Sequence, residues 1–198
     1  MRKFALITML ASLGFVSAAS ANTVLFSSFE SPIIGSGYQN FTLGQTFDGW
    51  TVSAGDVDII RGAYSPLPFP DGDQAVDLNG FQPGAISQSI NTVIGQAYSL
   101  NFWLSANTVV SAQANAGAGA TTQIFSSGNT AWNQYFLPFT ATGTSTLISF
   151  SSVNTPGTGG PTLDEVSVVA VPTPTSAMGG FVLLGLVFAG NKLRTRKA

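Results

Sequence analysis

A chain of 198 residues with seven basic and nine acidic side chains, 8% charged in all, and neither cysteine nor histidine has room for one ordinary domain with short appendages. The missing residues exclude a disulfide framework, thiolate metal sites, the usual general base, a Ser-His-Asp triad and most zinc sites. Residues 22–171 carry one basic and nine acidic side chains, a net of −8, which would repel nucleic acid and suits calcium, a cation that takes carboxylate and carbonyl oxygens.

The chain starts "MRKFALITMLASLGFVSAASANTV". Arg2 and Lys3 form a basic region, Phe4 to Val16 an apolar one, and Ala19-Ser20-Ala21 a small-residue cleavage pattern. Residues 1–21 are therefore expected to be a secretory signal peptide, with cleavage after Ala21 marked by Ala19 and Ala21. The alternative is an uncleaved N-terminal anchor.

From 22 to 171 alternation replaces helical periodicity. In "AYSLNFWLSA" Tyr98, Leu100, Phe102 and Leu104 share one face, and Trp103 falls on the other. "NQYFLPFTA" groups Tyr135, Leu137 and Phe139, and "STLISFSS" groups Thr146, Ile148 and Phe150. In "TLDEVSVVA" strict alternation sets Leu163, Glu165 and Ser167 against Asp164, Val166 and Val168. "SAQANAGAGA" is low in complexity and is read as a mobile loop. Turn signals such as "FPDGD", "LNGFQPG" and "NTPGTGGP" separate the runs. Short strands at this spacing predict an all-β fold, a jelly-roll β-sandwich.

After the sandwich comes "VPTPTSAMGGFVLLGLVFAGNKLRTRKA". Pro172 and Pro174 forbid a regular helix through them, so a helix can begin near Ser176. Run to Leu193, it would be about 27 Å long at ~1.5 Å per residue. That nearly spans a hydrocarbon core of about 30 Å. Lys192, Arg194, Arg196 and Lys197 then act as a membrane stop and favour a cytoplasmic C-terminus. The alternative is a last core element of the globular domain.

The layout of residues 172–198 resembles the PEP-CTERM sorting tail: a short Pro-x-Pro motif, one transmembrane helix, then a basic end. Pro172, Thr173 and Pro174 occupy the motif, with Thr173 where the family has Glu. The resemblance implies an exosortase-like processing enzyme as partner. The segments "SFESP", "FDGWTVSAGDVDIIRG", "DGDQAVDLNGFQPGAISQSINTVIGQAYSLNFWLSAN", "WNQYFLPFTATGTSTLISFSS" and "GGPTLDEVSVVAVP" resemble choice-of-anchor C domains. These are galactose-binding-like jelly rolls of bacterial surface proteins. Fold analogy with carbohydrate-binding jelly rolls makes extracellular polysaccharide the implied ligand.

Related modules hold a structural calcium near the first and last strands. The matching residues here are Glu30 from "SFE" and Asp164 from "LDE", and Asp73 of "DGDQAV" could add an oxygen. Trp103 faces outward by parity, and Tyr64 and Phe69 sit in the loop "YSPLPFP", so these three are the candidate sugar platforms. Trp50 reads as core and Trp132 as packing at a strand start. Asn79, Asn107 and Gln88 are candidate hydrogen-bonding residues. Asp56 and Asp58 share a strand face, and a minor alternative makes them a glycosidase pair, since an enzyme here would rest on carboxylates alone. The leading reading is a non-enzymatic, exported, membrane-anchored surface or matrix protein that presents a carbohydrate-binding sandwich. Its alternative is a structural envelope protein without glycan binding.

Overall fold

The computed structural model describes residues 22–62, 68–107, 112–156 and 159–172. The expected signal peptide, Tyr64, Thr173 and Pro174, the tail helix and the basic end lie outside them. Among the described residues no helix is long and apolar enough to cross a membrane.

The strands are β1 (Thr23–Ser27), β2 (Gly37–Thr42), β3 (Thr46–Phe47), β4 (Trp50–Ala54), β5 (Asp56–Arg61), β6 (Gln74–Asp77), β7 (Ala85–Asn91), β8 (Ala97–Ala106), β9 (Ala112–Ala118), β10 (Thr121–Ser127), β11 (Asn133–Thr140), β12 (Ser145–Ser152) and β13 (Pro161–Ala170). One sheet, here sheet A, runs β11-β8-β13-β6-β5-β2, and β1 also pairs with β13. Sheet B runs β10-β9-β12-β7-β4-β3. The strands pair antiparallel, and the two sheets bury one face each against the other, the expected all-β sandwich of jelly-roll type.

The alternating residues of β8, β11 and β12 form the core. Leu100, Phe102, Leu104, Ile148 and Phe150 are fully buried, and Tyr135 packs against the cluster. Burying each large apolar side chain is worth about 1.5–3 kcal/mol. Phe102 meets Phe150 and Phe125 edge-on at 5.0 and 5.1 Å between ring centroids. Trp50 is wholly buried, as expected, and its Nε1 donates to Ser27 Oγ at 3.0 Å. Ser27 in turn donates to Asp48 Oδ2 at 2.5 Å, so the one polar edge of the indole is satisfied through β1.

Two expectations are corrected. The "SAQANAGAGA" stretch is not a loop over its described length: Ala112 to Ala118 form β9, paired on both sides by β10 and β12. Ala114, Ala116 and Ala118 point into the core and bury methyl groups among its larger side chains. The alternation is real but written in small residues. In β13 strict alternation fails. Asp164 pairs with Trp103 and Ser167 with Asn101, so β13 holds one extra residue there. Glu165 adopts φ 48° at this bulge, and Leu163, Val166 and Val168 all reach the core.

Candidate functional site

The register of sheet A lines up five polar residues in one row. Asn40 of β2 faces Asp58 of β5, which faces Asp77 of β6, which faces Thr162 of β13, which faces Ser105 of β8. Their neighbours in sequence, Val57, Ile59, Val76, Leu163 and Leu104, enter the core. The period of two therefore puts the polar row on the outer face. Tyr38 and Ile60, two residues along, share that face.

Over this row lies a cleft of about 110 Å³. Asp58, Asp77, Tyr38 and Ile60 form its floor and wall. Asn79, Gly80 and Phe81 from the turn after β6, Asn107 after β8 and Gly159 before β13 form its rim. Tyr38 and Phe81 are 48% and 59% exposed, so part of each side chain faces solvent at the cleft.

The rim is pinned by hydrogen bonds. Asp56 Oδ1 accepts from the backbone N–H of Phe81 at 2.6 Å and of Gln82 at 3.3 Å. Asp56 thus shares a face with Asp58, as parity required, but serves to hold the turn. Gly80 lets that turn press onto the row, because a Cβ there would strike Asp56 Oδ1 and Asn40 Nδ2. Asn79 N–H donates to Asp77 Oδ1 at 2.8 Å, and Asn107 Nδ2 donates to Asp77 Oδ2 at 2.8 Å. Asn40 Nδ2 donates to Asp58 Oδ1 at 2.8 Å. Burial nevertheless pushes Asp77 up to about 7, against the lowering effect of its hydrogen bonds, with Asp58 adding like-charge repulsion. Burial raises Asp58 too, and Asp56 adds repulsion there. Thr162 Oγ1 and Ser105 Oγ, next in the row, are buried without a hydrogen-bond partner.

A second acidic group sits where β1 gives way to β6 along the flank of β13. Here Glu30 and Asp164 meet, as the sequence led us to expect. Glu30 Oε1 accepts from the backbone N–H of Asp73 at 2.8 Å and of Gln74 at 2.7 Å. Asp164 accepts from the N–H of Asp71 at 3.0 Å and of Glu165 at 2.7 Å. Burial pushes Asp164 up to about 7, against its two backbone hydrogen bonds, and the charges of Asp71 and Glu30 add repulsion. Phe29 (φ 60°) precedes one carboxylate and Glu165 (φ 48°) follows the other, so the backbone on both sides is held in the left-handed region.

Asp73 departs from expectation. Its carboxylate is 74% exposed and pairs with Arg61 at 3.2 Å, so only its N–H serves the junction. Asp71 takes its place as the third charge. Among the described residues no three acidic side chains converge as a metal cage. A calcium ion here would draw on Glu30 and Asp164 and complete its shell with backbone carbonyls. Buried Asp164 and half-buried Glu30, which repels it, fit such an ion, and exposed Asp73 does not.

Of the expected platforms, Trp103 lies on the outer face opposite Asp164, as parity required. It is half-buried, and its Nε1 is out of solvent contact without a partner. Phe69 is also half-buried, against Trp132 at 6.5 Å between centroids. Neither lines the cleft. Gln88 faces inward on β7 beside Gly49, while Asn79 and Asn107 do meet at the rim.

The sequence model of one protein family, DUF642, described as a protein of unknown function, matches residues 25–169. The chain belongs to the DUF642 family. The match spans the sandwich from β1 to β13. Halomucin of Haloquadratum walsbyi is 30% identical over 203 residues, covering 96% of this chain and 2% of halomucin, so the DUF642 chain spans a small fraction of that relative. Among solved structures, the CBM22-1 xylan-binding domain of Paenibacillus barcinonensis Xyn10C superposes with a TM-score of 0.52 at 15% identity, covering 79% of this chain and 99% of that domain. The CBM22-1-CBM22-2 tandem of the same protein gives 0.52 at 16% identity, covering 82% of this chain and 50% of the tandem. At these identities the likeness is one of fold.

Four residues of the DUF642 domain's outer face, Asp77, Asp71, Tyr38 and Phe81, carried no signal that singled them out. Asp77 ends β6, a strand of four residues buried throughout, where alternation is too short to read. Phe81 follows "LNG", which reads as a turn and gives no hint that the turn folds back over a sheet.

Proposed function

We propose that this DUF642 protein is exported and presents its sandwich outside the cytoplasm, where the cleft over Asp58 and Asp77 binds carbohydrate. The single observation behind the binding is the cleft itself: carboxylates and amides at its base and rim, with Tyr38 and Phe81 exposed beside them. Sugar recognition needs that pairing of hydrogen-bonding groups with aromatic faces. The fold, shared with a xylan-binding domain, supplies the class of ligand to test, and the site supplies the reason. The sequence at the two ends supports export through residues 1–21 and a PEP-CTERM-type tail at 172–198, membrane-held and open to exosortase-like processing. The choice-of-anchor C resemblance points the same way. Calcium held by Glu30 and Asp164 would neutralise the junction and tie the first strand to the last.

The test is a polysaccharide pull-down with the full chain and with Phe81→Ala. Retention of a neutral or charged glycan by the first, and its loss in the second at unchanged melting temperature, is the expected result. No retention of any glycan would leave the structural envelope role. That second reading draws on Phe136 and Phe26, which stand 56% and 58% exposed at the ends of another outer row, β11-β8-β13-β1, and could dock a neighbouring protein. Mass and membrane-versus-medium location of the protein from its own host test the tail. A chain ending near residues 172–176 marks processing, and one ending at Ala198 in the membrane marks a simple anchor.

A further inference from the structure

The hydrogen-bonding inventory of the cleft is one-sided. Asn107 Nδ2 is committed to Asp77, and Asn79 Nδ2 is directed at the carbonyls of Thr155 and Gly159 at 3.4 Å each. Asn40 Nδ2 is committed to Asp58. Toward the cleft this leaves mainly acceptors, the second oxygen of Asp58 and the side-chain oxygen of Asn107, beside buried Asp77 and a Tyr38 hydroxyl that can donate or accept. Beside Asp77, the hydroxyl oxygens of Thr162 and Ser105 are fully buried and unpartnered, so the row holds further polar atoms without partners. The carboxylate and amide oxygens favour a ligand that brings donors.

Charge narrows the class. Arg61 is the one basic residue between 22 and 172, and its guanidinium is engaged by Ile34 O at 2.8 Å and Asp73 at 3.2 Å, away from the cleft. A uronate, sulfate or phosphate would meet two carboxylates with no cation to offset them. An ammonium would meet the Asp58 carboxylate and an Asp77 carboxyl able to ionise beside it, in a partly desolvated place, with the rings of Tyr38 and Phe81 near enough to add cation–π attraction.

Resting on the reading of the cleft as a carbohydrate site, we infer that its ligand is a sugar with a free ammonium, an amino sugar lacking its N-acyl group, seated with the ammonium between Asp58 and Asp77. The titratable groups facing that position are Asp58 from β5, Asp77 from β6 and Tyr38 from β2, with the charge of Asp56 behind the rim turn on the same face as Asp58. Because burial holds Asp77 at about 7, it is partly protonated at neutral pH, and an ammonium beside it favours the ionised form. Binding therefore moves the proton off the Asp77 carboxyl, to solvent when the sugar arrives as the ammonium and to the amine itself when it arrives neutral.

Calorimetry of the full chain in detergent, with glucosamine oligomers and their N-acetylated counterparts, tests this. Each titration is run at pH 6, where the sugar amine is mostly ammonium and Asp77 mostly protonated, in two buffers of different protonation enthalpy. The deacetylated oligomer should bind about ten-fold or more tightly than the acetylated one, with an enthalpy that differs between buffers. Asp58→Asn should abolish that preference, and Phe81→Ala, at the exposed rim, should weaken binding if Asp58→Asn fails to fold. Equal or tighter binding of acetylated, neutral or uronate oligomers overturns the inference and leaves the carbohydrate reading standing. Undiminished binding by both variants places the ligand elsewhere and overturns it too. No binding of any oligosaccharide overturns both.

Discussion

The outer face of sheet A carries two acidic groups that burial treats alike and geometry treats differently. At the junction, Glu30 and Asp164 are wrapped by backbone N–H groups of 71–74 and 165, and their surroundings are the chain itself. At the cleft, Asp58 and Asp77 receive side-chain amides and the N–H groups of Asn79 and Gly160; Asp77 is itself buried, and half-buried Asp58 lines a cleft shared with Tyr38 and Phe81. Both groups hold a carboxyl near 7. A raised carboxyl alone therefore does not mark a ligand site. What separates the two is the cleft itself, which opens beside half-buried Asp58.

The junction should break hardest. Gly72 adopts φ 63°, and a Cβ there would strike Glu30 Oε1, so Gly72→Ala should cost about 2–4 kcal/mol in urea unfolding. Glu30→Ala strands the N–H groups of Asp73 and buried Gln74 and should cost about 1–3 kcal/mol. An equivalent loss from Asp58→Ala would erase the contrast with the cleft.

A pH series reads both groups at once. Asp77 and Asp164 stand near 7 in the folded chain against 3.8 for a free carboxyl. Between those values the folded chain keeps protons that the unfolded chain has released, so stability is greatest at the acid end of the window and falls as pH rises through 7. The melting temperature should drop by several degrees from pH 5 to pH 8. Asp77→Asn should flatten part of that slope and Asp164→Asn another part, and a slope of opposite sign would refute both assignments. Calcium separates them further. In calcium-containing buffer at pH 8, chelator should lower the melting temperature of the parent chain and of Asp77→Asn, and leave Asp164→Asn unmoved. No response in the parent chain would remove the ion from the junction. The smallest effect belongs to Asp73→Ala: its exposed pair with Arg61 is worth under about 1 kcal/mol, and the chelator response should persist.

Parity made much of this legible. It put Leu100 and Phe102 inside, Trp103 outside, and Asp56 with Asp58 on one face, and all of that holds. Parity fails where one residue is added: nothing in "TLDEVSVVA" announces that Glu165 turns left-handed and lets Val166 follow Leu163 into the core. It is silent where side chains are small, as in Ala114 and Ala116, whose apolar signal is a methyl group. The site was harder still. Glu30 and Asp164 were found through a resemblance, and Asn79 and Asn107 by residue type. Asp77 became visible only through cross-strand register, since Asp58, Asp77 and Thr162 belong to three strands far apart in sequence.

Strand β13 begins at the rim of the cleft, next to Gly159, and ends at Ala170, whose N–H donates to Asn22 O at 2.9 Å. Along its length it is clasped by β8 on one side and by β6 and then β1 on the other. A chain tethered beyond Pro172 and gripped by a ligand at the cleft would be pulled along this strand from end to end. The load would fall on both hydrogen-bonded ladders together, in shear, so they would have to give way together and not one rung at a time.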